Sequence, residues 1–117
     1  MDVVRLVNER DEVVCERCSV ADSMFRRMRG LLGRRELGAG EGLLLRPAGS
    51  IHTAFMRFPI DAVFVDRELA VLKVAADLRP WRAARCSGAH AVVELAAGEA
   101  ARREIRPGDR LAPAGSH

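Results

Sequence analysis

Apolar and polar residues alternate in short runs along most of this chain, and only one stretch carries its apolar positions at helical spacing. Val3 to Val7 and Glu12 to Glu16 are strand-like, and the polar Asn8-Glu9-Arg10-Asp11 between them is turn chemistry, so a hairpin opens the fold. Asp22 or Ser23 then caps a helix over Met24 to Leu32. Phe25, Met28 and Leu32 fall on one face of it, Arg26, Arg27 and Arg29 line the others, and Gly33 ends it. After the connector Gly38 to Gly42, strand signals recur at Leu43 to Arg46, Ile51 to Arg57, Ile60 to Val65, Leu69 to Ala75 and Ala91 to Ala96. The intervening segments, including the longer Asp77 to Gly88, are turn material rich in polar residues, Pro or Gly. Glu99 to Arg103 adds a helical turn, Pro107-Gly108-Asp109 turns the chain into a last strand at Arg110 to Ala112, and Pro113 to His117 is expected to fray. Seven to eight short strands with one helix in the N-terminal half predict a mainly β, small antiparallel sandwich or barrel, because the connections look too short for repeated helical crossovers.

Length and composition fit one domain over residues 1–117, with an ordered core from about 3 to 112. Apolar residues make up 49% and charged residues 30%, so the chain can bury enough surface to fold alone as a soluble domain. Aromatic residues are only 4%, with one Trp and no Tyr, so the core rests on Val, Leu, Ile and Ala and stacking platforms are scarce. The net charge of +3 is carried largely by five Arg between Arg26 and Arg35, which read as a solvated helix face and weigh against a nucleic-acid partner. The first residues carry no signal-peptide pattern and no run approaches a membrane span, which makes a cytoplasmic location without membrane contact the expectation. Three cysteines, an odd number, argue against a disulfide framework.

Candidate chemistry concentrates between Ile51 and Asp66, where three of the four Phe are interleaved with His52, Arg57 and Asp61. The period-2 rule puts Ile51, Thr53, Phe55 and Arg57 on one face and His52, Ala54 and Met56 on the other. Neither face is purely polar, so His52 and Arg57 are expected to be at least partly covered. Pro59 marks a corner or bulge that can bring Arg57 near Asp61. The three side chains then form either a proton shuttle, anion clamp and orienting carboxylate, or a buried polar network in which Arg57 pairs with Asp61. Trp81, between Pro80 and Arg82 in the longest loop, either lids the core or anchors a ligand. Arg29 and Arg34, with backbone N–H groups of Gly40 to Gly42, offer a second place for an anion, although close packing at Gly30 explains the same residues.

Cys15-Glu16-Arg17-Cys18 has metal-knuckle spacing, but residues three apart on an extended strand face opposite sides and no second pair follows. Cys15 reads as buried and Cys18 as partly exposed, and neither a metal nor another cofactor is expected. Cys86 and His90 lack an orienting acid for nucleophilic chemistry. Glu94, amid Val92, Val93 and Leu95, is expected to pair with an Arg.

Several motifs in order resemble one known family: Met28-Arg29-Gly30-Leu31-Leu32-Gly33-Arg34, Gly40-Glu41-Gly42-Leu43-Leu44-Leu45, the Ile51 to Asp66 segment, Val93-Glu94-Leu95 with Ala97-Gly98, and Ile105 with Gly108-Asp109. From about Val3 to Leu111 the chain resembles domain of unknown function 192, also called uncharacterised protein family 0127. The resemblance implies a single small, mainly β domain, a jelly-roll-like sandwich with one helix near its start, and implies no activity. Where many relatives carry an aromatic-Met-Lys-Asn-Thr stretch, this chain has Phe55-Met56-Arg57-Phe58-Pro59, which removes the Asn and Thr side chains.

Together these readings predict a binding or accessory module whose cleft at the Pro59 corner, closed by the Trp81 loop, takes a small anionic or peptide-like ligand. Arg29 and Arg57 would supply charge, His52 and Asp61 directional hydrogen bonds, and Trp81 an apolar surface. One alternative is a small hydrolase or isomerase using His52 and Asp61 as acid and base. Another is a protein-interaction module working through an exposed sheet edge, and the chain itself is expected as a monomer or weak homodimer.

Overall fold

A computed structural model of the chain describes residues 2–21, 37–54 and 56–114. The helix expected over Met24 to Leu32, with Arg29 and Arg34, lies outside the described residues, as does Phe55. The predicted hairpin is present: β1 (Val3–Val7) pairs antiparallel with β2 (Val13–Ala21). Its turn is organised by Asn8, whose side-chain oxygen accepts the backbone N–H groups of Arg10 at 2.9 Å and Glu12 at 3.0 Å. This is the asparagine chemistry that marked the turn in the sequence.

β2 runs longer than its apolar pattern indicated because the alternation is broken in mid-strand. Val4 lies opposite Cys18 and Leu6 opposite Cys15, so three residues of β2 span two of β1. This bulge reverses the alternation, turning both Cys15 and Cys18 into the core and both Glu16 and Arg17 outward. The expected partial exposure of Cys18 is thereby corrected.

The antiparallel expectation needs a second correction. β3 (Glu41–Leu45) runs parallel to β2, with Cys18 opposite Gly42 and Ala21 opposite Leu45. A parallel neighbour requires a long return of the chain, and residues 22–40 supply it. At Gly42 a Cβ would stand 2.8 Å from the Cys15 sulfur and 3.1 Å from the Glu94 carbonyl oxygen, so the close approach of the two strands requires glycine there.

β5 (Ile60–Val65) and β8 (Ala91–Ala96) take the boundaries expected of them, and β6 (Val71–Leu78) starts and ends slightly later than expected. With β9 (Ala112–Pro113) they complete an open, mixed sheet in the order β6-β5-β8-β3-β2-β1-β9. Instead of fraying from Pro113, the chain pairs Pro113 with Leu6, and Ala114 N–H donates to Arg5 C=O at 2.7 Å. The open edge of β1 holds this segment in place. A separate two-stranded ribbon is formed by β4 (Ser50–His52) and β7 (Ala83–Arg85). The molecule is mainly β, and among the described residues no barrel closes.

Both faces of the sheet are covered, which is why β5 and β8 read as nearly continuous apolar runs. On one face Cys15, Cys18, Leu44, Val63, Val93 and Leu95 pack under Ala100, Ile105 and Leu111. Ala100 belongs to α1 (Glu99–Arg102). On the other face Leu43, Leu45, Ala62, Phe64 and Val92 pack under Leu37, Ile51, Met56 and Phe58. Glu94 shares the alternation of Val92, is fully buried between Leu43 and Ala62 in register, and is partnered there.

Candidate functional site

Thr53 organises the corner that the sequence singled out. Its N–H donates to Arg82 C=O at 2.8 Å, its hydroxyl donates to Arg79 C=O, and its hydroxyl oxygen accepts the N–H of Arg82 at 2.8 Å. Its own carbonyl accepts the N–H groups of Met56 and Trp81, each at 3.1 Å. Thr53 is fully buried, so these bonds form away from water and hold the 79–82 loop firmly against the end of β4. They also stop the strand at His52, the second residue of a run expected to reach Arg57.

Past this clamp the ribbon pairs Ser50 with Arg85, Ile51 with Ala84 and His52 with Ala83. Ile51 and Ala84 pack on the sheet, and the alternation turns Ser50, His52, Ala83 and Arg85 outward. Beside the ribbon lies an open groove of about 540 Å³ whose polar lining is Ser50, His52, Lys73 and Arg85. Lys73 comes from β6. Its ammonium donates to Arg85 C=O at 2.9 Å and lies 5.8 Å from the centroid of the Phe64 ring, a favourable position for a cation.

The lining includes no Asp or Glu. That local imbalance extends through the two segments that build the corner. Residues 42–60 and 78–93 hold Arg46, Arg57, Arg79, Arg82, Arg85, His52 and His90 and no acid, although the whole chain contains 16. A second groove of about 460 Å³ is mixed in charge, with Asp66, Arg67, Glu68 and His90 in its lining. It offers an anion no such imbalance.

The sequence-predicted site residues divide. His52 is exposed on β4 and lines the first groove. Trp81 is 62% exposed at the end of the ribbon, its backbone tied to Thr53. Arg57 is exposed in the turn that follows the clamp. Asp61 is 1% exposed, and its carboxylate accepts three backbone N–H groups: Asp77 at 2.8 Å, Gly98 at 3.0 Å and Ala100 at 2.9 Å. Arg57 and Asp61 therefore form no ion pair, because three backbone N–H groups from two segments have taken that role. Arg29 falls outside the described residues. Lys73 and Arg85 were not singled out in the sequence; the acid-free runs on either side of β5 and β6 were the signal available for Arg85.

Elsewhere the charges serve structure. Glu99 is held down to about 2 by its hydrogen bonds to Arg102, with Arg103 adding to the effect against the cost of burial. Arg103 also reaches the Val13 carbonyl and Glu16, joining α1 to β2. Among the described residues no group of three or more His, Cys, Asp or Glu side chains could hold a metal ion. No helix among them is long and apolar enough to cross a membrane.

An open mixed sheet with a short ribbon on one face and a cationic groove beside that ribbon defines a small, mainly β domain. The chain belongs to the DUF192 family, described as an uncharacterized ACR, whose pattern matches residues 5–113. It is similar to a protein of unknown function from Novosphingobium aromaticivorans DSM 12444, with 28% identity, coverage of 94% of this chain and 83% of that one, and a TM-score of 0.79. It also shares its fold with a candidate transcription regulator of Sinorhizobium meliloti 1021, at 23% identity, with 97% and 94% coverage and a TM-score of 0.82. No curated protein matches the chain.

Proposed function

We propose that this protein is a ligand-binding module whose ribbon groove takes a small anionic ligand. The observation that carries the reading is the lining itself: Lys73, Arg85 and His52 converge on a space of about 540 Å³ with no carboxylate among them. A volume in the range of about 300–1,000 Å³ suits a small molecule, and a few convergent polar groups over an apolar floor suit selective binding. The Thr53 clamp supports the same reading, since it preorganises the groove and lowers the cost of ordering it around a ligand.

A thermal-shift series with phosphate, phosphomonoesters and small dicarboxylates tests this. A ligand at ten times its Kd adds about 1.4 kcal/mol, which raises the transition by roughly 6 °C in a domain of this size. The gain should disappear in a Lys73→Ala, Arg85→Ala double variant that melts as the parent does without ligand. A parent protein that no anion shifts at millimolar concentration would refute the proposal.

A further inference from the structure

We propose that Cys15 and Cys18 form a two-coordinate site for monovalent copper within the face of the sheet opposite the ribbon, independent of the anion groove. Residues three apart on a regular strand point to opposite sides, and that objection to a metal site at Cys15-Glu16-Arg17-Cys18 is removed by the bulge in β2. Both thiols are free, turn into one core cluster at 0% exposure and are hydrogen-bonded to each other. The anion groove makes no use of them.

Cys15 and Cys18 lie opposite Leu6 and Val4, two positions apart on β1, which sets their Cα atoms roughly 7 Å apart. That is long for a disulfide, whereas an ion held between the sulfurs adds two metal–sulfur bonds of roughly 2.3 Å each to the span. Thiolates select thiophilic ions. Zinc and iron–sulfur clusters need three or four protein ligands, and among the described residues no third His, Cys, Asp or Glu joins the pair. Cys86, the remaining cysteine, packs against the other face. Monovalent copper is satisfied by two thiolates in line and fits the pair as it stands.

The surroundings suit the ion. Gly42 keeps β3 from placing a side chain against the Cys15 sulfur, since a Cβ there would stand 2.8 Å from it. One Cu(I) and two thiols give a bis-thiolate complex with a single negative charge and release two protons to solvent. Arg103, 10% exposed and donating to the Val13 carbonyl at 3.1 Å, places a cation two residues from Cys15 to balance that charge. The Cys15 thiol donates to Gly40 C=O at 3.5 Å, and Ala39 beside that carbonyl is exposed, so the Gly38 to Gly40 connector is the way in.

In oxygen-free, reducing buffer the folded chain is titrated with Cu(I) against a chromogenic Cu(I) chelator, and the loaded protein is examined by X-ray absorption at the copper edge. The expected result is one equivalent withdrawn from the chelator, with two sulfur neighbours and no nitrogen around the copper. Cys86→Ala should leave both readouts unchanged, and Cys15→Ala and Cys18→Ala should each lose the bound copper while keeping the circular dichroism of the parent. If either of the latter fails to fold, the Cys86→Ala protein still decides, because its only thiols are Cys15 and Cys18. Loss of copper from Cys86→Ala, its retention by a folded Cys15→Ala, a nitrogen neighbour, or uptake only in denaturant overturns the proposal.

Discussion

Replacing Asp61 by Asn should destabilise the protein almost as much as replacing it by Ala, although Asn matches the carboxylate in shape. In the folded chain one carboxylate oxygen accepts the N–H of Asp77 and the other accepts those of Gly98 and Ala100. All the neighbours are donors, and an amide has only one acceptor end. If the Asn oxygen faces Gly98 and Ala100, its NH₂ confronts the Asp77 N–H; if it faces Asp77, two donors are orphaned. One buried orphan costs about 1–3 kcal/mol, and the bonds that survive lose the extra strength of a charged acceptor. The sum is about 3–4 kcal/mol for Asp61→Asn, and on the order of 4–6 kcal/mol for Asp61→Ala, which orphans all three. Against a total of about 5–15 kcal/mol, either loss is severe. Urea unfolding followed by far-ultraviolet circular dichroism measures it, with the midpoint falling and the slope unchanged. An Asn variant within about 1 kcal/mol of the parent would show that Asp61 does not join β5, β6 and the α1 segment as described.

Three further outcomes are expected. Because the folded pKa of Glu99 is depressed, its contribution is fully present above its ordinary value near 4.5 and is lost as pH falls through about 2. Glu99→Gln should therefore flatten the stability curve between those two values, and an unaltered acid limb would contradict the Arg102 pairing. Cys15 and Cys18 are buried, and their mutual hydrogen bond followed by burial pushes the Cys18 thiol far up. A chromogenic disulfide reagent should thus titrate only Cys86 quickly in the folded protein and all three thiols in denaturant, whereas fast reaction of a second thiol would argue against the bulge. Thr53→Val keeps the shape and deletes the hydroxyl, orphaning the Arg82 N–H. It should cost about 1–3 kcal/mol in urea unfolding and weaken anion binding at the groove; full retention of both would remove Thr53 from the account.

The parts of the fold legible in the sequence were those fixed by local chemistry. Val3 to Val7 with the Asn8 turn, Ile60 to Val65 and Ala91 to Ala96 were read correctly because Asn caps its own turn and doubly covered strands stay apolar throughout. The parallel neighbour of β2 was missed because it depends on where a long connection returns, which no local pattern records. The bulge at Glu16-Arg17 was missed because one extra residue inverts the faces without changing composition. β7 was hidden because Ala83-Ala84-Arg85 has neither β-branched residues nor alternation, and it forms only because Thr53 holds the adjacent loop.

The site shows the same division. His52, Arg57, Asp61 and Trp81 stood out as chemistry-bearing types, and His52 and Trp81 do meet at one corner through Thr53. Asp61 carries the same functional group as a catalytic acid, and only the three backbone donors around it distinguish its position. Lys73 stayed unnoticed because its partner, the Arg85 carbonyl, is twelve residues away and belongs to a strand that the pattern did not reveal.

The most direct test of the anion-binding claim is a phosphate titration followed amide by amide in ¹⁵N–¹H correlation spectra of the intact chain. The account predicts saturable shifts confined to Ser50 to His52, Lys73 and Ala83 to Arg85, with the Thr53 clamp moving little. Shifts centred instead on the Asp66 to Glu68 turn and His90, or none at all, would contradict it.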